Sequence, residues 1–320
     1  MTNAVTFDLE DWFQVSNLEH LIPYARWEEC PSRLEQNTRR VLAALDRAGV
    51  KATFFVLGWN AARFPHLVRE VAEAGHEIAS HGYAHGLVYE QTPEEFSADL
   101  RRAAQAIGEA CGLAPRSYRA PSFSITPRAS WAFAALAEAG FQVDASVFPI
   151  FHERYGFRGA PRVPHRVALA KGAALTEAPP STLRLLGRNY PFAGGAYFRI
   201  LPYPVVRRFC RRLQAAGEPL VFYFHPWEFD PEIPRFRLSP FRALRSYVNL
   251  DRTEARLASL LRDFPFGPLA RLLGELPALP AWEPPAAPPA RRGCAKDGEA
   301  LPWRPPMTPA AERRSDGPSR

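Results

Sequence analysis

The sequence predicts an α/β domain built on a parallel sheet or barrel. Short apolar runs alternate with stretches of helical period along most of the chain. Glycines and capping residues punctuate the alternation at the expected places. Asp8, His81, Arg119 and His225 each fall just past an apolar run, where such folds set their catalytic groups, at the C-terminal ends of strands.

The elements follow in order. Ala4–Phe7 reads as a buried strand that runs into an acidic cluster. Residues 32–48 carry Leu34, Val41, Leu42 and Leu45 at helical spacing, with Ser32 as N-cap, Glu35 three residues on and Gly49 as the stop. Ala52–Leu57 is a second strand, Pro65–Ala74 a helix ended by Gly75, and Glu77–Ala79 a strand leading to His81. Thr92-Pro93-Glu94-Glu95 opens a helix with a capping box and a proline at its first position, and that helix runs to Cys111 before Gly112. Arg116–Arg119, Phe141–Val143 and Leu220–Phe224 read as strands, and Pro127–Ala139 and residues 251–263 as helices. Residues 146–203 are rich in Pro, Gly and aromatics and read as an irregular insertion across the active-site face. Residues 281–320, rich in Pro, Ala and Arg, read as a disordered tail. The expected organisation is one catalytic domain over 1–280, with 204–280 as its C-terminal part, followed by that tail.

Composition narrows the function. The 320 residues are 47% hydrophobic and 23% charged, an ordinary globular balance. The net charge of +7 comes from arginine, the only lysines being Lys51, Lys171 and Lys296. No basic stripe interleaves with aromatics, which argues against nucleic acid, while a mild attraction for acidic polymers is compatible with the charge. Cys30, Cys111, Cys210 and Cys294 are far apart and read as isolated thiols. No apolar stretch approaches a membrane span, and Asp8 interrupts the first apolar run, so no signal peptide is read and the expected location is cytoplasmic.

Two segments look built to hold one metal ion. Asp8, Glu10 and Asp11 stand at the end of the first strand, and His81 and His85 follow the third. A carboxylate with two imidazoles is a common ligand set for a catalytic divalent metal with open positions. Within a strand, residues two apart face one way, so Asp8 and Glu10 share a side while Leu9 faces the core. Three clustered carboxylates repel and desolvate one another unless a cation neutralises them. The four-residue spacing places His81 and His85 on one face if that turn is helical. Hydrogen-bonded or surface histidines, and a solvated acidic turn, are the alternatives.

Five segments in order carry a family resemblance: Thr6–Phe13; Thr53–Leu57 with Gly75–His85; Tyr118–Ser124; Asp144–Pro149; and Phe222–Pro226. Over about residues 3–275 the chain resembles the polysaccharide deacetylases of carbohydrate esterase family 4, the NodB-homology group. Gly194–Tyr203 resembles a signature of the subgroup encoded with bacterial exopolysaccharide and exosortase loci. The resemblance implies a distorted (β/α) barrel of about seven strands. It implies Asp8 as catalytic base, Arg119 as the arginine that holds it, His225 as general acid, and His81 and His85 as metal ligands. The family's third ligand is usually the adjacent carboxylate, but Leu9 stands there, so Glu10 or Asp11 takes its place, with Glu10 preferred by strand parity. Asp144 is the expected partner of the general acid, although its Asp-Ala-Ser setting departs from the common pattern. Trp12, Phe13, Phe123, Tyr197 and Trp227 are candidate sugar-stacking walls, with core packing as the alternative.

The activity implied is metal-dependent hydrolysis of N-acetyl groups on amino sugars of a bacterial exopolysaccharide or its lipid-linked precursor. Zn2+ is the expected metal, with Co2+, Ni2+ or Mn2+ compatible. Alternatives are another amide, such as a formyl amino sugar or an allantoin-like ureide, and a non-catalytic carbohydrate-binding relative.

Overall fold

Alternation along the first strand sorts the molecule into two layers. All seven residues of Asn3–Leu9 are buried, as expected for a parallel strand covered on both faces. Val5, Phe7 and Leu9 pack outward against Phe54, Val56, Phe222 and Phe224 and against a helical layer that includes Val41, Leu45, Leu67 and Leu257. Thr6 and Asp8 face the other side, where Arg119 bonds both and lies over the Phe55 ring. The computed structural model describes residues 2–152, 154–172 and 174–287.

The strands are β1 (Asn3–Leu9), β2 (Thr53–Val56), β3 (Glu77–Ser80), β4 (Ser117–Tyr118), β5 (Val143–Asp144), β6 (His165–Ala168), β7 (Ala174–Glu177), β8 (Thr182–Leu185), β9 (Arg188–Pro191), β10 (Val221–Phe224), β11 (Phe266–Gly267) and β12 (Ala281–Trp282). The α-helices are α1 (Leu34–Arg47), α2 (Gly58–Arg63), α3 (Pro65–Glu73), α4 (Pro93–Cys111), α5 (Ala132–Glu138), α6 (Gly195–Ile200), α7 (Tyr203–Ala215), α8 (Pro240–Tyr247), α9 (Thr253–Asp263) and α10 (Leu269–Glu275). Helix α4 begins with the expected capping box: Glu95 N–H donates to Thr92 Oγ1 at 3.2 Å and Thr92 N–H to Glu95 Oε2 at 2.8 Å. Helix α1 starts at Leu34, whose N–H donates to Ser32 Oγ, while Glu35 turns outward to Arg39 and His66. Among the described residues no helix is long and apolar enough to cross a membrane.

The main sheet has ten strands in the order β10-β1-β2-β3-β4-β5-β7-β6-β12, with β11 beside β1. It is parallel except for the β6/β7 pair. Among the described residues this ladder is open, so the closed barrel is not what its hydrogen bonds form. The physical reason lies beyond β7. Pro179 and Pro180 have no N–H to offer, and only Ser181 reaches the β10 edge, donating its N–H to Val221 O at 3.0 Å and accepting from Val221 N–H through Oγ at 2.9 Å. Gly194 covers the next residue of that edge, Tyr223.

Two expectations need correction. Residues 146–203 are not irregular throughout: β6 and β7 pair and extend the main sheet, β8 and β9 form a second hairpin, and α6 follows. Exposed residues on these short strands hid the period-2 pattern. The tail does not begin at 281 either. Ala281 and Trp282 pair with β6, and the Trp282 ring meets Phe133, Phe157 and His165 edge-on. The rest of the expected tail from residue 288 lies outside the described residues.

Gly194 has a φ of +138°, and a Cβ there would fall 2.0 Å from Tyr223 O. Gly194→Ala is therefore expected to cost about 2 kcal/mol or more, because β10 must shift to admit the methyl group. Urea unfolding of the variant against the parent chain checks this, and an unchanged midpoint would contradict it.

Candidate active site

Asp8 ends its strand facing inward, and its burial leaves it needing a cation. Arg119 supplies one just past β4, with Nη1 2.6 Å from Asp8 Oδ1 and 2.8 Å from Thr6 Oγ1, and Nε 3.2 Å from Ala145 O. Arg119 is itself fully buried, so the pair is exchanged for nothing in water, and removing either partner strands a charge.

Glu10 follows the strand through a tight turn in which its N–H donates to Asp8 O at 2.8 Å. Its Oε1 lies 2.8 Å from His81 Nε2 and 3.1 Å from His85 Nε2. Burial alone would raise this carboxyl, but His85 and His225, with hydrogen bonds from His81 and His85, hold it well below the usual carboxylate range. Asp11 goes elsewhere. Its carboxylate accepts from Trp12 N–H at 2.8 Å, Ser32 Oγ at 2.6 Å and Arg33 N–H at 3.0 Å, tying the strand end to the start of α1. Burial pushes the Asp11 carboxyl up to about 6 against those bonds. Of the two expected third ligands, only Glu10 reaches the imidazoles.

His81 and His85 converge, but through a loop and not a helical turn. His81 directly follows β3, Gly82 has a φ of +72° and His85 a φ of +56°. Asp99 on α4 holds the loop by accepting from Tyr83 N–H at 3.1 Å. A neutral His81 that donates Nδ1–H to Arg119 O, 2.7 Å away, carries its lone pair on Nε2, aimed at Glu10. A lone pair facing a carboxylate oxygen requires an intervening cation or a second proton. The Glu10, His81 and His85 donor atoms lie within 4.8 Å of one another, so this nitrogen, nitrogen and oxygen set could hold a divalent metal.

His225 directly follows β10, with Nε2 3.8 Å from Asp8 Oδ2. Its Nδ1 lies 2.7 Å from Glu228 Oε1, and Glu228 Oε2 accepts from Arg199 Nε at 2.6 Å. Arg199 also donates to Val248 O and Arg245 O. Burial opposes a charge on His225, but Glu10, Glu228 and Asp8 outweigh it and raise the imidazole to about 9. Burial likewise raises Glu228, yet Arg199 and His225 hold it below its ordinary value. Glu228 and Arg199 were missed from sequence. The signal was present: His225-Pro226-Trp227-Glu228 is a capping box with proline at the first helical position. Asp144, expected to partner His225, instead bonds Ser146 Oγ on β5 beside Glu177, where burial pushes it up to about 6.

These groups open onto one cavity of about 280 Å³, lined by Asp8, Glu10, His85, His225, Phe123 and Trp227 among others. Ser122 and Phe123 each take a φ of +52° on its wall, backbone strain of the kind kept at functional sites. Trp12 and Phe13 are not walls: both are buried in a satellite core with Trp27 and Trp59, and Trp12 Nε1 donates to Pro31 O. Tyr197 does not line the cavity, its hydroxyl bonding that of Tyr155, which does.

Comparison with known proteins fits this geometry. Residues 24–143 match the family model described as "Polysaccharide deacetylase", and residues 145–274 match "Domain of unknown function (DUF3473)". The chain is 34% identical over 84 residues to "Peptidoglycan-N-acetylglucosamine deacetylase" of Bacillus cereus, covering 26% of this chain and 30% of that protein. It is 40% identical over 85 residues to "Chitooligosaccharide deacetylase" of a Bradyrhizobium species, covering 26% of this chain and 39% of that one. The chain thus spans well under half the length of these relatives. A crystal structure of a protein assigned as a polysaccharide deacetylase from Mycobacterium smegmatis superposes with a TM-score of 0.56 at 23% identity, over 86% of this chain and 91% of the other. That likeness is one of fold.

Glu10→Ala is expected to weaken divalent-metal binding by about a hundredfold or more, as measured by competition with a chromogenic chelator. Asp11→Asn should leave metal affinity within about threefold but cost about 1–3 kcal/mol of stability through its lost backbone acceptor. The reverse pattern would assign the ligand to Asp11.

Proposed function

We propose that this chain, a member of the NodB-like polysaccharide deacetylases, is a metal-dependent hydrolase that removes N-acetyl groups from amino sugars. The observation that carries the reading is the pairing across one cavity. Asp8, held by Arg119, faces His225, held by Glu228, at 3.8 Å beside the Glu10, His81 and His85 cluster. An amide needs a base on its attacking water and an acid on its leaving nitrogen.

A bound divalent metal, with zinc as the proposed ion, supplies polarisation of the acyl carbonyl and a more acidic water. Glu10, His81 and His85 would hold it. Asp8, oriented by Arg119, takes a proton from the attacking water. His225 Nε2 gives a proton to the departing amine while its Nδ1–H stays on Glu228. The C–N bond breaks, leaving acetate and a free amino sugar. Phe123 and Trp227 offer ring faces to the pyranose. Residues 1–280 act as one catalytic unit in this proposal, because Asp8, His81 and Arg119 lie before residue 145 and His225, Glu228 and Arg199 after it. The finer proposal, a bacterial exopolysaccharide or its lipid-linked precursor, rests on the Gly194–Tyr203 segment, which supplies Arg199 to this site.

The test is acetate release from partly acetylated poly-N-acetylglucosamine. Asp8→Asn and His225→Gln should each lower kcat by about a hundred- to ten-thousand-fold. Undiminished turnover after chelation, or in His81→Ala, would sink the proposal. Glu228→Gln removes a negative charge that favours the protonated imidazole, so the His225 pKa falls and the alkaline limb of kcat/KM against pH should move to lower pH. An unmoved limb would take the general acid away from His225.

A further inference from the structure

Beyond the reacting groups, the cavity is unbalanced in both charge and hydrogen bonding. Its lining carboxylates are all matched: Asp8 by Arg119, Glu10 by the histidines, Glu228 by Arg199 and His225. Its outer wall also carries Arg154, Arg242 and Arg245. Arg242 and Arg245 come from α8, with Phe241 beside them, and among the described residues neither pairs with a carboxylate within 4.0 Å. Arg154 pairs with Glu19 at the exposed rim, at 3.3 Å, and hydrogen-bonds the Tyr89 side chain. Arg245 rests between the Tyr197 and Phe241 rings and gives one weak bond to Tyr155 Oη at 3.3 Å.

Among the described residues, the buried side-chain atoms of this lining that lack a partner are Arg154 Nε, Trp227 Nε1 and Arg245 Nε. All three are donors. An unmet buried donor costs free energy and asks for an acceptor from outside the chain. Arginine forks suit carboxylate and phosphate oxygens in particular.

Building on the deacetylase reading, we infer that the substrate carries an anionic group, a carboxylate or a phosphate, next to the acylated sugar, and that Arg154, Arg242 and Arg245 bind it. Arginines on the wall then select acidic glycans or phosphate-linked sugars over neutral N-acetylglucosamine chains. The lining aromatics serve the sugar rings and the guanidiniums serve the charge.

Calorimetry on the metal-loaded full chain tests this with three probes: neutral chitotetraose, a tetrasaccharide alternating N-acetylglucosamine with glucuronate, and UDP-N-acetylglucosamine. At least one anionic probe should bind about tenfold or more tighter than chitotetraose at low salt, with the preference shrinking as salt rises. Which one gains separates a carboxylate from a phosphate. Arg245→Gln, and the exposed Arg242→Gln should the first not fold, should each raise the anionic Kd about tenfold and the neutral Kd less than about twofold. Equal binding of all probes, no binding of either anionic probe, or equal losses on all probes overturns the inference. Acetate release is followed in parallel. Turnover of chitotetraose without anionic preference leaves the deacetylase reading standing alone, and anionic selectivity without turnover of any probe leaves only the arginine wall.

Discussion

Buried negative charge governs this structure. Asp8, Glu10 and Glu228 are each almost fully excluded from water at the ends of two adjacent strands. A buried carboxylate is tolerable only with its own cation or donors, and the fold meets that demand three times. Arg119 answers Asp8, the His81 and His85 imidazoles answer Glu10, and Arg199 with His225 answers Glu228. Most of what surrounds the cavity exists to hold those partners in place: Arg119 on Thr6 and Ala145, His81 on the Arg119 carbonyl, Arg199 on the carbonyls of 245 and 248.

The parallel sheet makes this possible at low cost. Neighbouring β1, β2, β3 and β4, with β10 on the far side of β1, all end at one rim, so residues more than a hundred positions apart in the chain meet without long side chains. The 3.8 Å approach of His225 to Asp8, which Arg119 holds, brings residues of the two matched regions, 24–143 and 145–274, to one site. The first contains His81, His85 and Arg119, the second His225 with Glu228 and Arg199.

Much of this was legible in the sequence. Strand positions, the capping box of α4, and Asp8, His81, Arg119 and His225 at strand ends follow from hydrophobic period and punctuation, which are local properties. Less local features were not. The convergence of His81 and His85 uses left-handed backbone at Gly82 and His85, where a helical turn was the simpler expectation. The hairpins of 165–191 have too few alternating apolar residues to announce themselves, and β12 is two residues whose strand character exists only because β6 is there to pair with. Trp12 read as a sugar wall because an aromatic beside an acidic cluster has no mark of which way it packs; Phe13, Trp27 and Phe236 decide that.

By itself, the sequence determined the α/β class, most of the elements before residue 145, and the placing of Asp8, His81, Arg119 and His225 at strand ends, since each depends on spacing within a few residues, while the family resemblance supplied their expected roles. Only the tertiary structure chose Glu10 over Asp11 and Glu228 over Asp144, because each choice turns on which carboxylate meets a cation across strands. Glu10 points to two imidazoles from another loop, while Asp11 is captured by Ser32 and Arg33; Glu228 meets Arg199, while Asp144 sits with Ser146 and Glu177. A pairing energy between distant residues leaves no trace in local pattern, and it is that energy which sorts these carboxylates among their partners.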